Sequence, residues 1–160
     1  MKINQYVVGA VQTNCYFIIN EDTKEIRLIS IFRDTYLNLG NDTYNKANNA
    51  YSKGGPKQAI NMLNMNLDLN ITDYVTVGFQ GVVDTVDALG GVEIEVDEAE
   101  ISHLNNYQIG TSEAIGRKNQ YTKVTSTGMQ TLDGLQATSY CRIRYTAGDD
   151  FKRAERQREV

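Results

Sequence analysis

Five of the eight arginines in this chain, Arg142, Arg144, Arg153, Arg156 and Arg158, stand in its last nineteen residues. Guanidinium forks suit bidentate contact with phosphate or carboxylate, whereas surface solubility is served equally well by lysine. Arg153 and Gln157 are four apart, which stacks them on one helix face, with Arg156 at the three-residue spacing. Arg153 falls in the first turn of the expected last helix, where free backbone N–H groups already favour an anion. A cation gains little from that dipole, so an anion, Asp150 or a bound phosphate, is expected to offset it. Arg142 and Arg144 are two apart, and on an extended segment both side chains point to one side. Two unrelated surface arginines is the competing reading of that spacing. Arg33 closes an apolar run elsewhere in the chain. Three separate segments thus supply arginine, with few carboxylates nearby in sequence to neutralise it. A pyrophosphate is the natural counter-charge, and arginines gripping its oxygens would stabilise charge developing in phosphoryl transfer.

Other chemistries are excluded by what the chain lacks. With His103 as its single histidine there is no Ser–His–Asp triad and no histidine metal cluster. Cys15 and Cys141 are too few and too far apart for a zinc site or a disulfide framework, and both are expected as small buried side chains. The formal net charge of −4 argues against a nucleic-acid partner, which needs a basic face to displace counterions. No run approaches the roughly 20 apolar residues that span a bilayer. The remaining catalytic means are Arg, Asp, Gln and a metal ion.

These groups need a scaffold, and 160 residues with 41% hydrophobic content suffice for one folded domain. Tyr16–Asn20 and Glu25–Phe32 read as strands joined by the turn 21–24. The second run is apolar on both faces, which predicts a central strand covered by helices. It ends at Arg33-Asp34, and the C-terminal edge of such a strand is where α/β folds place ligand groups. Residues 38–49 read as a polar loop. Gly54-Gly55-Pro56 opens a helix carrying Ile60, Met62, Leu63 and Leu67. Tyr74–Phe79 reads as a strand. Val82, Val83, Val86 and Leu89 form an amphipathic helix stopped by Gly90-Gly91, and Val92, Ile94 and Val96 alternate as a half-exposed strand. Asp97–Thr127 lacks strong periodicity and is expected to be a long excursion, with at most a short helix at 101–107. Helix returns over Leu132–Tyr140 and again from about Phe151, with Asp150 as its expected N-cap. This alternation predicts an α/β fold.

Taken in order, several stretches resemble the LytR–CpsA–Psr family. They are Leu28-Ile29-Ser30-Ile31-Phe32-Arg33-Asp34-Thr35, Lys46-Ala47-Asn48-Asn49-Ala50-Tyr51 through Gly54-Gly55-Pro56, and Val86-Asp87-Ala88-Leu89-Gly90-Gly91-Val92. Leu132-Asp133-Gly134-Leu135-Gln136-Ala137 follows, leading to Tyr140-Cys141-Arg142-Ile143-Arg144, and then Asp150-Phe151-Lys152-Arg153-Ala154-Glu155-Arg156-Gln157. The resemblance implies an α-β-α sandwich around a mixed central sheet over residues 25–160, with a hydrophobic pocket for a polyprenyl chain. It implies a phosphotransferase that moves a glycopolymer, of teichoic acid or capsular polysaccharide type, from a polyprenyl-pyrophosphate carrier to peptidoglycan. Arg33, Arg142, Arg144, Arg153 and Gln157 would bind the pyrophosphate. Asp150 would be a candidate base, Mg²⁺ would assist, and Asp34 would hold a neighbouring arginine or loop. No residue is assigned as a metal ligand. The faces carrying Ile60, Leu63 and Leu67 and Val82, Val83 and Val86 are candidates for the lipid pocket, with ordinary core the stronger reading. The family is membrane-anchored through a segment absent here, with its catalytic domain outside the cell.

Residues 1–24 stand apart in this reading. Met1–Ile19, with Gly9-Ala10-Val11-Gln12-Thr13-Asn14-Cys15-Tyr16, resembles the opening strands of metallo-β-lactamase-fold hydrolases, without the His-x-His-x-Asp-His motif that would support that activity. They are expected to be N-terminal strands of separate origin, replacing a family loop that supplies metal-binding carboxylates, and the core 25–160 is expected to stop short of the family's C-terminus. Two other functions compete: a noncatalytic module whose arginines hold a phosphate-bearing lipid without turnover, and a metallohydrolase.

Overall fold

The computed structural model describes residues 3–10, 13–20, 23–144, 146 and 148–160, and within 3–10, 13–20 and 149–150 it describes the backbone alone. The chain forms two compact units, Met1–Val77 and Gly78–Val160.

In the first unit, β1 (Ile3–Ala10), β2 (Thr13–Asn20) and β3 (Glu25–Ile31) run as an antiparallel meander. β6 (Asp73–Thr76) joins β1 in parallel, from Tyr6 opposite Asp73 to Gly9 opposite Thr76, completing a mixed sheet of order β3-β2-β1-β6. A parallel neighbour requires a crossover, and the chain makes it through α1 (Asn48–Leu67). The short hairpin of β4 (Tyr36–Asn38) and β5 (Tyr44–Lys46) precedes that helix, inside the stretch expected to be loop. Leu39, Ala47, Ala50, Ile60, Met62, Leu63 and Ile71 form the core, with Ile29, Ile31, Leu37 and Leu69 against it. Ile60 and Leu63 are therefore core residues, as their spacing predicts.

One expectation changes here. The strand ending at Arg33 is at the sheet edge rather than its centre, with Ile26 65% exposed. An apolar run reports that a strand can be buried on two faces; which strand is central is decided by the hairpin order, and β3 follows β2 outward. The boundary expected at residue 24 falls in the β2–β3 hairpin, whose strands pair from Asn14–Ile31 to Asn20–Glu25.

α1 is broken where the sequence places its start. Gly54 leaves helical geometry at φ −142°, and Gly55 takes φ 65°, ψ −158°, a combination reserved for glycine. Pro56 then begins the longer segment at the position where its missing N–H is harmless.

The second unit contains α2 (Phe79–Ala88), β7 (Val92–Val96), α3 (Glu98–Ala114), β8 (Gly128–Leu132), α4 (Gly134–Tyr140) and α5 (Asp149–Glu159). β7 and β8 pair antiparallel. Val86, Ile94, Val96, Leu104, Val124, Leu132, Ala137, Tyr140 and Ile143 form the core. Val83 and Val86 are buried on α2, while Leu89 is exposed beyond its end. α3 is the main departure, seventeen residues where an excursion is expected. Its buried face includes Glu100, Gln108, Thr111 and Ser112 beside Leu104, whereas Ile109 is exposed. Polar burial and apolar exposure cancel the periodicity that would announce the helix. Among the described residues no helix is long and apolar enough to cross a membrane.

Candidate functional site: an arginine-bearing turn between two helices

Arg142 and Arg144 lie on the link between α4 and α5, and both ends of that link are held. All seven residues of α4 are buried. Asp133 caps it, accepting from the Gln136 backbone N–H at 2.8 Å while its own N–H donates to Gln136 Oε1 at 2.9 Å, a reciprocal capping box. Gly134 lets α4 meet α2 backbone to backbone, since a β-carbon there would stand 2.1 Å from the Val83 carbonyl oxygen. The Gly134 N–H also donates to Asp87 Oδ1 at 2.7 Å. Beyond the turn, Gly148 takes a left-handed φ of 96° and serves as the N-cap of α5. The expectation that Asp150 is that cap is corrected: α5 begins at Asp149, which places Asp150 inside the first turn. Glycine adopts the left-handed φ without steric penalty, so the chain turns into the helix earlier than the aspartates. The Asp150 side chain lies outside the described residues, and so does its proposed chemistry.

Arg142 is half-buried between two aromatic rings. Its guanidinium carbon stands 4.7 Å from the Phe79 ring centre and 5.4 Å from that of Tyr107, and Nη1 donates to Thr111 Oγ1 at 2.7 Å. Burial pulls its pKa down, and the like charge of Arg144 adds to that. Arg144 is also half-buried.

On α5, Arg153 is 5% exposed. Gln157, one turn on, donates through Nε2 to the Cys141 carbonyl at 3.4 Å, tying α5 to the end of α4. Arg156 is different in kind. It is wholly buried, and Nε and Nη2 both donate to Glu100 Oε1, at 2.9 and 2.6 Å. Nη1 donates to the Ile143 carbonyl at 3.2 Å and Nη2 to Thr146 Oγ1 at 2.6 Å. Glu100 Oε2 accepts from the Asp97 N–H at 3.1 Å. The carboxylate that neutralises Arg156 sits 56 positions earlier in the chain. Arg156 is therefore a buried brace that ties α5 to Ile143 and Thr146. Cys141, beside it, has its thiol pushed up to about 12 by burial.

Arg142, Arg144, Arg153 and Gln157 are thus gathered in the second unit. Arg33 belongs to the first, two residues past the end of β3, with its carbonyl accepting from the Asn48 N–H at 3.1 Å. Its Nε lies 3.5 Å from Asp34 Oδ2, and Lys46 Nζ is 2.7 Å from Asp34 Oδ1. Asp34 thereby holds both a neighbouring arginine and the loop, as expected of it.

A cavity of about 390 Å³ in the second unit is lined by Glu93, Glu95, Asp97, Glu100 and Glu159, with Lys152. Its negative charge disfavours a pyrophosphate. Among the described residues no group of three or more His, Cys, Asp or Glu side chains is placed to hold a metal ion.

Sequence reasoning missed Phe79, Tyr107, Thr111, Ser139 and Glu100. Glu100 carries a readable signal, the Asp97-x-x-Glu100 spacing of a helix start. The four-residue spacing of Tyr107 and Thr111 becomes readable only once α3 is known to be a helix.

The LytR_cpsA_psr family profile matches residues 12–160, which takes in half of the stretch expected to be of separate origin. The chain is 32% identical over 154 residues to the polyisoprenyl-teichoic acid–peptidoglycan teichoic acid transferase TagU of Enterococcus faecalis, covering 95% of this chain and 45% of that protein. The chain therefore spans about half the length of this curated relative. It superposes on the crystal structure of B. subtilis TagT with a TM-score of 0.80 at 27% identity, covering 99% of this chain and 62% of that one. For TagT with bound octaprenyl pyrophosphate lipid the TM-score is 0.76 at 26% identity, with 99% and 61% covered. The fold is accordingly the α/β fold of those proteins. From a match over nearly its whole length and the arginine-bearing turn set within it, this chain belongs to the LytR_cpsA_psr family.

Proposed function

We propose that this chain is the catalytic core of a phosphotransferase that moves a glycopolymer from a polyprenyl-pyrophosphate carrier to peptidoglycan. The observation that carries it is the guanidinium grouping on one braced turn: half-buried Arg142 and Arg144, followed by buried Arg153 on α5. A relative is named a teichoic acid transferase, and a similar structure is named for its bound octaprenyl pyrophosphate lipid. Both names fit a doubly phosphorylated ligand. Teichoic acid is the best-supported polymer, peptidoglycan the acceptor, and the outer face of the cytoplasmic membrane or the cell wall the place of action.

In this reading Arg142, Arg144, Arg153 and Gln157, all in the second unit, hold the pyrophosphate oxygens. A peptidoglycan hydroxyl attacks the phosphorus that bears the glycopolymer. The bond from that phosphorus to the bridging oxygen breaks, polyprenyl phosphate leaves, and the hydroxyl proton passes to a base, for which Asp150 is the candidate. Arginines fixed in advance stabilise the charge gathering on the equatorial and leaving oxygens without reorganising during reaction. Mg²⁺ dependence is part of the proposal.

The test is transfer of labelled polymer from a polyprenyl-pyrophosphate-linked analogue to peptidoglycan, with and without Mg²⁺. Arg142→Ala and Arg153→Ala are each expected to lower the rate by at least about 100-fold, and Asp150→Asn to lower it while leaving binding intact. Binding without any turnover in the unaltered protein would show a noncatalytic lipid-pyrophosphate module instead.

A further inference from the structure

We infer that Thr111, together with the rings of Phe79 and Tyr107, is a positioning device that fixes the Arg142 guanidinium before the phosphate ligand arrives. This rests on the reading of Arg142 as a phosphate-binding residue and adds residues outside the arginine cluster to that site.

The hydrogen bonds are directional. Thr111 Oγ1 donates its single proton to the Tyr107 carbonyl at 2.8 Å. With that proton committed, the hydroxyl can only accept elsewhere, and it accepts from Arg142 Nη1 at 2.7 Å and from Ser139 Oγ at 3.1 Å. Thr111 and Ser139 are both fully buried, so water does not compete for these contacts. The Phe79 and Tyr107 rings lie against the guanidinium, with centres at 4.7 and 5.4 Å. Tyr107 and Thr111 are one turn apart on α3, so one helix face supplies a ring and the accepting hydroxyl. Ser139 is on α4, immediately before the turn carrying Arg142, and locks the acceptor to the segment it serves.

A long side chain on a turn ordinarily samples many rotamers, and ordering it on binding opposes affinity. Here one donor is tethered and the planar group is held against aromatic rings, so part of that ordering is already done. A purely structural role for Thr111 needs only its shape and the bond to the Tyr107 carbonyl. A positioning role needs the oxygen as an acceptor for Arg142.

The experiment measures calorimetric binding of inorganic pyrophosphate to the full chain at fixed ionic strength. The proteins are the parent, Thr111→Val, Thr111→Ser, Arg142→Ala and the double variant Thr111→Val/Arg142→Ala. Thr111→Val is expected to weaken binding about tenfold, with Thr111→Ser within about twofold of the parent. In the Arg142→Ala background, Thr111→Val is expected to add no further loss. Parent-like affinity in Thr111→Val beside a clear loss in Arg142→Ala overturns the inference, as does an equal loss in both backgrounds. Parent-like affinity in Arg142→Ala overturns the binding role of Arg142 itself, and the inference with it. Should Thr111→Val fail to melt cooperatively, Phe79→Leu, at a 38% exposed position, replaces it. A loss of about threefold to fivefold that vanishes in the Arg142→Ala background is expected; parent-like affinity overturns the proposal.

Discussion

One oxygen of Glu100 accepts two hydrogen bonds from Arg156, at 2.9 and 2.6 Å, with the two side chains 4% and 1% exposed. Breaking such a pair leaves a charge stranded away from water, which costs more than the pair contributes. Arg156→Met is therefore expected to lower unfolding stability by about 3–5 kcal/mol. The double variant Glu100→Leu/Arg156→Met is expected to recover part of that loss, because no buried charge remains. Urea unfolding of both proteins checks this; a double variant no more stable than the single one would contradict it.

Gly134 is demanded by contact rather than by φ. A β-carbon there would stand 2.1 Å from the Val83 carbonyl oxygen and 2.8 Å from its α-carbon, both backbone atoms that no rotamer change can move. Gly134→Ala is expected to destabilise the protein by about 3 kcal/mol or more, with α4 and α2 forced apart. Thermal unfolding checks the magnitude. An alanine variant within about 1 kcal/mol of the parent would show that the helices separate easily.

Cys141 gives a pH dependence. Burial favours its neutral thiol and pushes the folded pKa from 9.0 to about 12. Below about pH 8 both folded and unfolded chains hold the proton, and the group contributes no slope. Between about 9 and 12 the unfolded chain releases a proton that the folded one keeps, so stability falls as pH rises, by at most about 1.4 kcal/mol per unit. Tyr140, also raised chiefly by burial, adds a loss of the same sign at higher pH. Cys141→Ala is expected to show a shallower decline between pH 9 and 10.5, read from urea midpoints. Identical slopes would refute it.

The chemistry was more legible in the sequence than its support. The spacing of Arg142 and Arg144 predicts an extended segment, whereas Arg142 sits in a hydrogen-bonded turn, its N–H donating to the Ser139 carbonyl at 3.0 Å. Gly54-Gly55-Pro56 and Gly90-Gly91 mark real breaks, because backbone angles near them suit glycine and the following Pro56 suits a helix start. β3 misleads because an apolar run carries no information about the order of strands in a sheet. α3 hides because the residues it buries, Glu100, Gln108, Thr111 and Ser112, are those that a hydrophobic pattern counts as exposed. Arg156 looks like one more member of the anion-binding set, and only its contact with Glu100, 56 residues distant, removes it. Local spacing reports what shares a face; it is silent on which distant group arrives there.

Ile143 is fully buried, while its neighbours Arg142 and Arg144 are half-buried on either side. That middle residue works as a peg: it fixes the phase of the turn, so the two cations emerge from it at set places. Inserting or deleting one residue between Tyr140 and Ile143 would swap the peg with a guanidinium, sending a charge into the apolar interior and an isoleucine toward the ligand. Length in this short link is as constrained as side-chain identity, although most loops tolerate such changes.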